Sequence, residues 1–99
     1  MGMLDGRVAI VAGGGRGVGA EVAKMFAANG AKVLVNDPGV GGGGEGGEQG
    51  PAEEIANAIK AGGGEAAPNF GSVASYEDCL GMVQQARDEL GGLHIIFNP

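Results

Sequence analysis

The sequence has no tryptophan, one tyrosine, one cysteine and one histidine, and its 6 lysines and arginines face 12 aspartates and glutamates. Each shortage closes off a class of protein. A single cysteine, Cys79, rules out an intrachain disulfide, and with it the small secreted scaffolds that depend on several. The formal charge of −6 is repelled by phosphodiester backbones, so nucleic acid is not an expected partner. Residues 1–7 contain no apolar signal core, and no run approaches the ~18 residues of a membrane span. Neither export nor membrane insertion is expected, and the location expected is cytoplasmic. No cluster of histidine, cysteine and carboxylates has metal-ligand spacing, so no metal site is expected.

Glycine is the opposite case, with 23 of the 99 residues. Each one loses more backbone entropy on folding than any other residue, which lowers the stability expected of the chain by itself. Hydrophobic content is an ordinary 43%, and the length suits one small domain that buries a modest share of its surface.

Along the chain, Arg7 to Ala12 (RVAIVA) is a short apolar run that opens directly into glycines, as a strand buried on both faces would. From Gly17 the period changes: Val18, Val22, Met25 and Phe26 fall on one face of a helix, and Gly30 sits where a C-terminal cap belongs. Lys32 to Asn36 (KVLVN) reads as a second buried strand. Pro38 to Gly50 has no apolar periodicity and reads as a loop, longer than the ~2–6 residues usual between a strand and a helix. Pro51 suits the first turn of a second helix, with Glu53 and Glu54 at the end its dipole favours, and with Ile55, Ala58 and Ile59 as a narrow apolar stripe. Gly62 to Gly64 end it, and Glu65 to Asn69 form a weak third strand. Ser75 and Asp78 match a capping box at the start of a third helix, whose expected apolar face is Cys79, Leu80, Val83, Ala86 and Leu90. His94 to Asn98 is a fourth strand. The order βαβαβαβ implies an α/β fold: a Rossmann-type doubly wound parallel sheet, ending after its fourth strand.

Gly13, Gly17 and Gly19 make G-x-x-x-G-x-G where the first strand meets the first helix, and Gly15, Gly17 and Ala20 satisfy the looser G-x-G-x-x-G/A. In so glycine-rich a chain the pattern alone is poor evidence of a site, because Gly41, Gly43 and Gly46 match it too. Context separates the two. The first follows a buried strand and opens a helix; the second opens nothing and is rejected. At the first, the chain must turn sharply, let a pyrophosphate approach the backbone, and aim a helix N-terminus at it. A ligand-free glycine turn is the bland alternative. Asp37 ends the second strand about 20 residues later, where a carboxylate accepts hydrogen bonds from both ribose hydroxyls of an adenosine. Its alternative reading is a turn residue, since Asn-Asp-Pro-Gly is turn chemistry in its own right.

With these residues in place, the chain resembles the short-chain dehydrogenase/reductase family. Ala12-Gly13-Gly14-Gly15-Arg16-Gly17-Val18-Gly19 is similar to that family's T-G-x-x-x-G-[IV]-G. The opening Leu4 to Ala9, the segment Gly62 to Ala66 and the tail Gly92 to Asn98 carry the likeness along the chain. Asn36-Asp37-Pro38-Gly39 before a glycine-rich insert resembles the (3R)-hydroxyacyl-CoA dehydrogenase units of multifunctional β-oxidation enzymes. The resemblance implies that residues 1–99 are a partial NAD(P)-binding domain. It implies Gly13, Gly15, Arg16, Gly17, Val18, Gly19, Asp37, Ser72, Val73 and Asn98 as cofactor-binding residues. Three positions depart from the family: Ala12 replaces a threonine, Gly71 an aspartate that contacts the adenine amino group, and Pro99 the alanine after Asn98.

The family moves a hydride between nicotinamide and an alcohol or carbonyl, with a tyrosine and a lysine in Y-x-x-x-K. Here the only tyrosine is Tyr76, followed four residues later by Leu80, so no catalytic residue is assigned and the chain alone is expected to be inactive. His94, where the family has aspartate, reads as a surface or strand-end residue, and Cys79 as a packed thiol. Arg16 favours the 2′-phosphate of NADP, whereas Asp37 opposes it, because like charges about 4 Å apart repel by ~4 kcal/mol at an effective dielectric of about 20. The balance points to NAD, with NADP less favoured. Two other readings stay open: a non-catalytic nucleotide-binding module, and a non-functional fragment. A downstream Y-x-x-x-K in frame separates the first from an enzyme. Ile95 to Phe97 would leave an exposed apolar edge, and self-association through that fourth strand is expected, or a homo-oligomer for a full-length enzyme.

Overall fold

The computed structural model describes residues 2–38 and 50–98. The second glycine pattern at Gly41, Gly43 and Gly46, most of the expected 38–50 loop, and Pro99 lie outside the described residues. Strands β1 (Val8–Ala12), β2 (Lys32–Asn36), β3 (Glu65–Asn69) and β4 (Ile95–Phe97) alternate with helices α1 (Gly17–Ala28), α2 (Pro51–Ala61) and α3 (Tyr76–Gln85). A π-helical turn, Ala86–Leu90, continues α3 and stops at Gly91, whose φ is +92°. The strands form one parallel sheet in the order β3-β2-β1-β4, so the βαβαβαβ expectation holds.

Alternate residues of each strand serve opposite faces. Val11, Val33 and Val35 meet Ala23, Ala52, Ala56 and Ile59 from α1 and α2. Val8, Ile10 and Leu34 meet Met82, Ala86 and Leu90 on the other side. β1 and β2 therefore lie between two helical layers, which explains their unbroken apolar sequences. β3 is an edge strand and carries Pro68, which has no N–H to give a ladder.

Three helix faces differ from those expected. α1 buries Gly19, Ala20 and Ala23, while Val18 is 66% exposed and Met25 also faces solvent. Close approach of the helix to the sheet selects small side chains, and that preference overrides the larger apolar residues one position away. α3 buries Met82 and its continuation Ala86 and Leu90, leaving Leu80 exposed. In α2 the buried set is Ala52, Ala56 and Ile59, and Ala58 is exposed.

His94 is exposed but not idle. Its N–H donates to Val8 O (2.8 Å), and its Nδ1 accepts from Val8 N–H (2.9 Å), closing the start of the β1–β4 pair. An accepting Nδ1 places the ring proton on Nε2.

Candidate functional site

In a parallel sheet all strands end on the same edge. Ala12, Asn36 and Asn69 are register partners across β1, β2 and β3, so the segments after them emerge side by side. Val11 pairs with Phe97, which brings Asn98 to the same edge. The chain runs outward from β1 to β2 and β3, then returns to β4 on the other side of β1. That reversal opens a crevice beyond the strand ends, where ligands of doubly wound sheets bind.

The glycine turn occupies the centre of this edge. Gly13 has φ +68°, a conformation that L side chains rarely adopt, and a Cβ built there meets no heavy atom within 4 Å. Gly14 N–H donates to Asn36 O (2.8 Å), which ties the turn to the end of β2. Gly19 is needed for contact: a Cβ there would strike the Gly13 carbonyl. α1 has Arg16 at its N-cap with no side-chain cap, so the N–H groups of its first turn are not covered by a capping oxygen. Gly13, Arg16, Gly17 and Val18 are exposed, Gly15 is half-buried against Pro51, and Gly19 is buried. The exposed backbone N–H groups, the positive helix end and the open space beside them fit an anionic pyrophosphate.

Asp37 follows β2 directly. Its N–H donates to Asn69 O (2.9 Å), and its carboxylate lies 3.6 Å from Arg16 Nε. The carboxylate side chain is 8% exposed and the arginine 57%, so the anion is set into the edge and the cation lies over it. The loop after β3 completes the group. Ser72 N–H donates to Asp78 Oδ2 (2.8 Å), and Ser72 Oγ accepts from Ala74 N–H (3.1 Å). Ser75 Oγ accepts from Asp78 N–H (3.1 Å), as expected of a cap, but the return bond of a capping box is absent. Ser75 N–H donates to Ser72 O instead, and the Asp78 carboxylate is spent on the loop. Phe70 and Val73 are half-exposed in this loop.

The ten residues expected at a cofactor site thus fall on one sheet edge, with Gly19 beneath the turn. Sequence reasoning missed Asn36, Asn69 and Gln85. Asn36 is fully buried, its Nδ2 donates to Asn69 Oδ1 (2.8 Å) and Gly71 O (2.9 Å), and its Oδ1 has no hydrogen-bond partner among the described residues. An interior asparagine within an apolar strand was the available signal. Tyr76 lies far from any such role: it opens α3 and is exposed.

The profile of the short-chain dehydrogenase family matches residues 7–99. The chain belongs to that family. It is 44% identical over 92 residues to peroxisomal multifunctional enzyme A of Dictyostelium discoideum, covering 93% of this chain and 20% of the relative. A short-chain dehydrogenase from Mycobacterium avium superposes with a TM-score of 0.91 at 42% identity, over 100% of this chain and 34% of that one. A 7α-hydroxysteroid dehydrogenase solved with NADH and 7-oxo glycochenodeoxycholic acid gives 0.81 at 30% identity, over 94% and 33%. The chain therefore spans about a third of the solved structures it matches, and a fifth of the multifunctional enzyme. Among the described residues no helix is long and apolar enough to cross a membrane.

Proposed function

We propose that residues 1–99 are the dinucleotide-holding part of an oxidoreductase that takes NAD in preference to NADP. NAD, when bound, accepts or supplies the hydride. The chain's own residues would bind and orient it: backbone N–H groups of Gly13 and of Gly15 to Gly19 would receive the pyrophosphate, Gly14 N–H being held by Asn36 O, and Asp37 would accept hydrogen bonds from the ribose hydroxyls. Ser72, Val73 and Asn98 would complete the set of residues that hold it. The observation that carries the NAD preference is the Asp37 carboxylate set into the edge with Arg16 3.6 Å away. Arg16 is drawn toward that anion, and a 2′-phosphate there would meet the carboxylate as well as the cation.

The substrate class we assign is an alcohol or carbonyl, with a 3-hydroxyacyl thioester favoured by the resemblance of Asn36-Asp37-Pro38-Gly39 and its glycine-rich insert to hydroxyacyl-CoA dehydrogenase units. Turnover by these 99 residues alone is not expected, because Leu80 stands where a lysine would follow Tyr76. A cytoplasmic location and self-association through the β4 edge, where Ile96 is 62% exposed, belong to the same reading. Calorimetric titration with NAD and NADP tests it. NAD is expected to bind more tightly; tighter NADP binding overturns the preference, and binding of neither overturns the reading. Sizing chromatography tests the edge, and a monodisperse monomer would count against self-association.

A further inference from the structure

β3 is at the sheet edge, so the loop that leaves it has no neighbouring strand on its outer side. Its position relative to Asp37 rests on one backbone bond and on side chains, with Asp78 holding Ser72 further along the loop. Three amides supply the rest. Gln85 Nε2 donates to Pro68 O (3.0 Å), and Gln85 Oε1 accepts from Asn69 Nδ2 (2.8 Å). Asn69 Oδ1 accepts from Asn36 Nδ2 (2.8 Å) and from Gly71 N–H (2.9 Å). Its backbone carbonyl accepts from Asp37 N–H (2.9 Å). Turning the Asn69 amide over would set its NH2 against two donors, so the network itself fixes the orientation.

One residue thus grips both sides of the crevice wall, Asp37 through its backbone and Gly71 through its side chain. Gly71 is held so closely that a Cβ there would lie 3.2 Å from Asn69 Oδ1 and 3.0 Å from Asp78 Cβ. We propose that Asn69 is a positioning residue for the adenosine half of the dinucleotide, touching no ligand atom and setting the 70–73 loop against Asp37. Gln85 anchors it to α3. The inference rests on the dinucleotide reading above.

The test titrates ADP-ribose and inorganic pyrophosphate separately against the full chain and its Asn69→Ala and Gln85→Met variants, with amide exchange followed at Gly71. Asn69→Ala is expected to weaken ADP-ribose about tenfold, the scale of one or two lost hydrogen bonds, and Gln85→Met about threefold. Pyrophosphate affinity is expected to stay within about twofold, because the glycine turn is held by other bonds, and Gly71 exchange is expected to accelerate. Equal loss for both ligands, or no loss in a folded Asn69→Ala chain, overturns the inference while leaving the dinucleotide reading intact. If Asn69→Ala does not fold, Gln85→Met decides by the same criterion. Failure of the unsubstituted chain to bind ADP-ribose sinks the dinucleotide reading and this inference with it.

Discussion

The two sides of the crevice are built by opposite means. On the β1–α1 side the chain reaches the edge through side chains that are missing: Gly13 turns at φ +68°, and Gly19 lets the helix close onto the Gly13 carbonyl. On the β3–α3 side it depends on side chains that are present, with Gln85, Asn69 and Asn36 bonded in series and Asp78 holding Ser72. A backbone-built wall presents N–H groups to any anion, whereas a side-chain-built wall fixes the shape of a loop. The first side therefore suits the part of a dinucleotide common to many nucleotides, the pyrophosphate, and the second the part that distinguishes them.

The largest expected effect breaks the backbone side. Gly19→Val drives its Cβ into the Gly13 carbonyl and adds two methyl groups beyond it. Backbone cannot yield as a flexible side chain does, so a loss of about 3 kcal/mol or more is expected, at or beyond the top of the usual overpacking range. Urea unfolding measures it, and an unchanged midpoint would show that α1 does not pack as described.

Next comes the residue where the two sides meet. Asp37→Asn keeps the shape and removes the charge. Hydrogen bonds to an ionised acceptor contribute about 1.5–3 kcal/mol, against about 1 for a neutral one, so NAD affinity is expected to fall about tenfold. NADP should lose less, because the carboxylate no longer repels its phosphate. A parallel loss for both cofactors would remove Asp37 from the basis of discrimination.

The same contrast explains what the sequence disclosed. Glycines at fixed spacing between an apolar strand and a helix have one economical explanation, and Asp37 after a buried strand has few, so this half of the site was legible. So was the βαβαβαβ order, because short apolar runs, helical periodicity and glycine stops mark the elements independently of packing. Helix faces were less legible: Val18 and Met25 look like core by period, yet the fully buried positions of α1 are Gly19, Ala20 and Ala23, with Val22 and Phe26 packed at the margin. The amide chain was not legible at all. Asn69 and Gln85 are ordinary surface or turn residues by type, and only the register of β2 with β3 brings Asn69 to Asn36.

Asn36 sharpens the comparison further, because its network is incomplete. Its Nδ2 is committed to β3 and the loop beyond, while its buried Oδ1, turned away from those partners, has none among the described residues. Ala12 is its register partner on the β1 side and is also buried. A buried acceptor without a donor costs about 1–3 kcal/mol. Ala12→Ser places a hydroxyl on that side and is expected to stabilise the chain by about 1 kcal/mol in urea unfolding. Destabilisation would mean that the hydroxyl cannot reach Asn36 Oδ1 or has no room.

The smallest effect asks whether side chains substitute for backbone at the opposite end of the sheet as well. Val8 N–H gives its hydrogen bond to His94 Nδ1 at 2.9 Å, in the place a strand carbonyl would take in a regular ladder. The bond is partly buried and joins residues 86 positions apart, but it involves one neutral acceptor near solvent. Its removal in His94→Ala is expected to cost about 0.5 kcal/mol, since water replaces part of it. His94→Asp offers a carboxylate oxygen on a shorter side chain at the same backbone position. If acceptance of the Val8 N–H is what the position does, the aspartate variant retains most of the stability and the alanine variant does not. Equal losses in the two would assign the effect to the bulk of the imidazole, and the backbone-for-side-chain exchange would then be confined to the crevice edge.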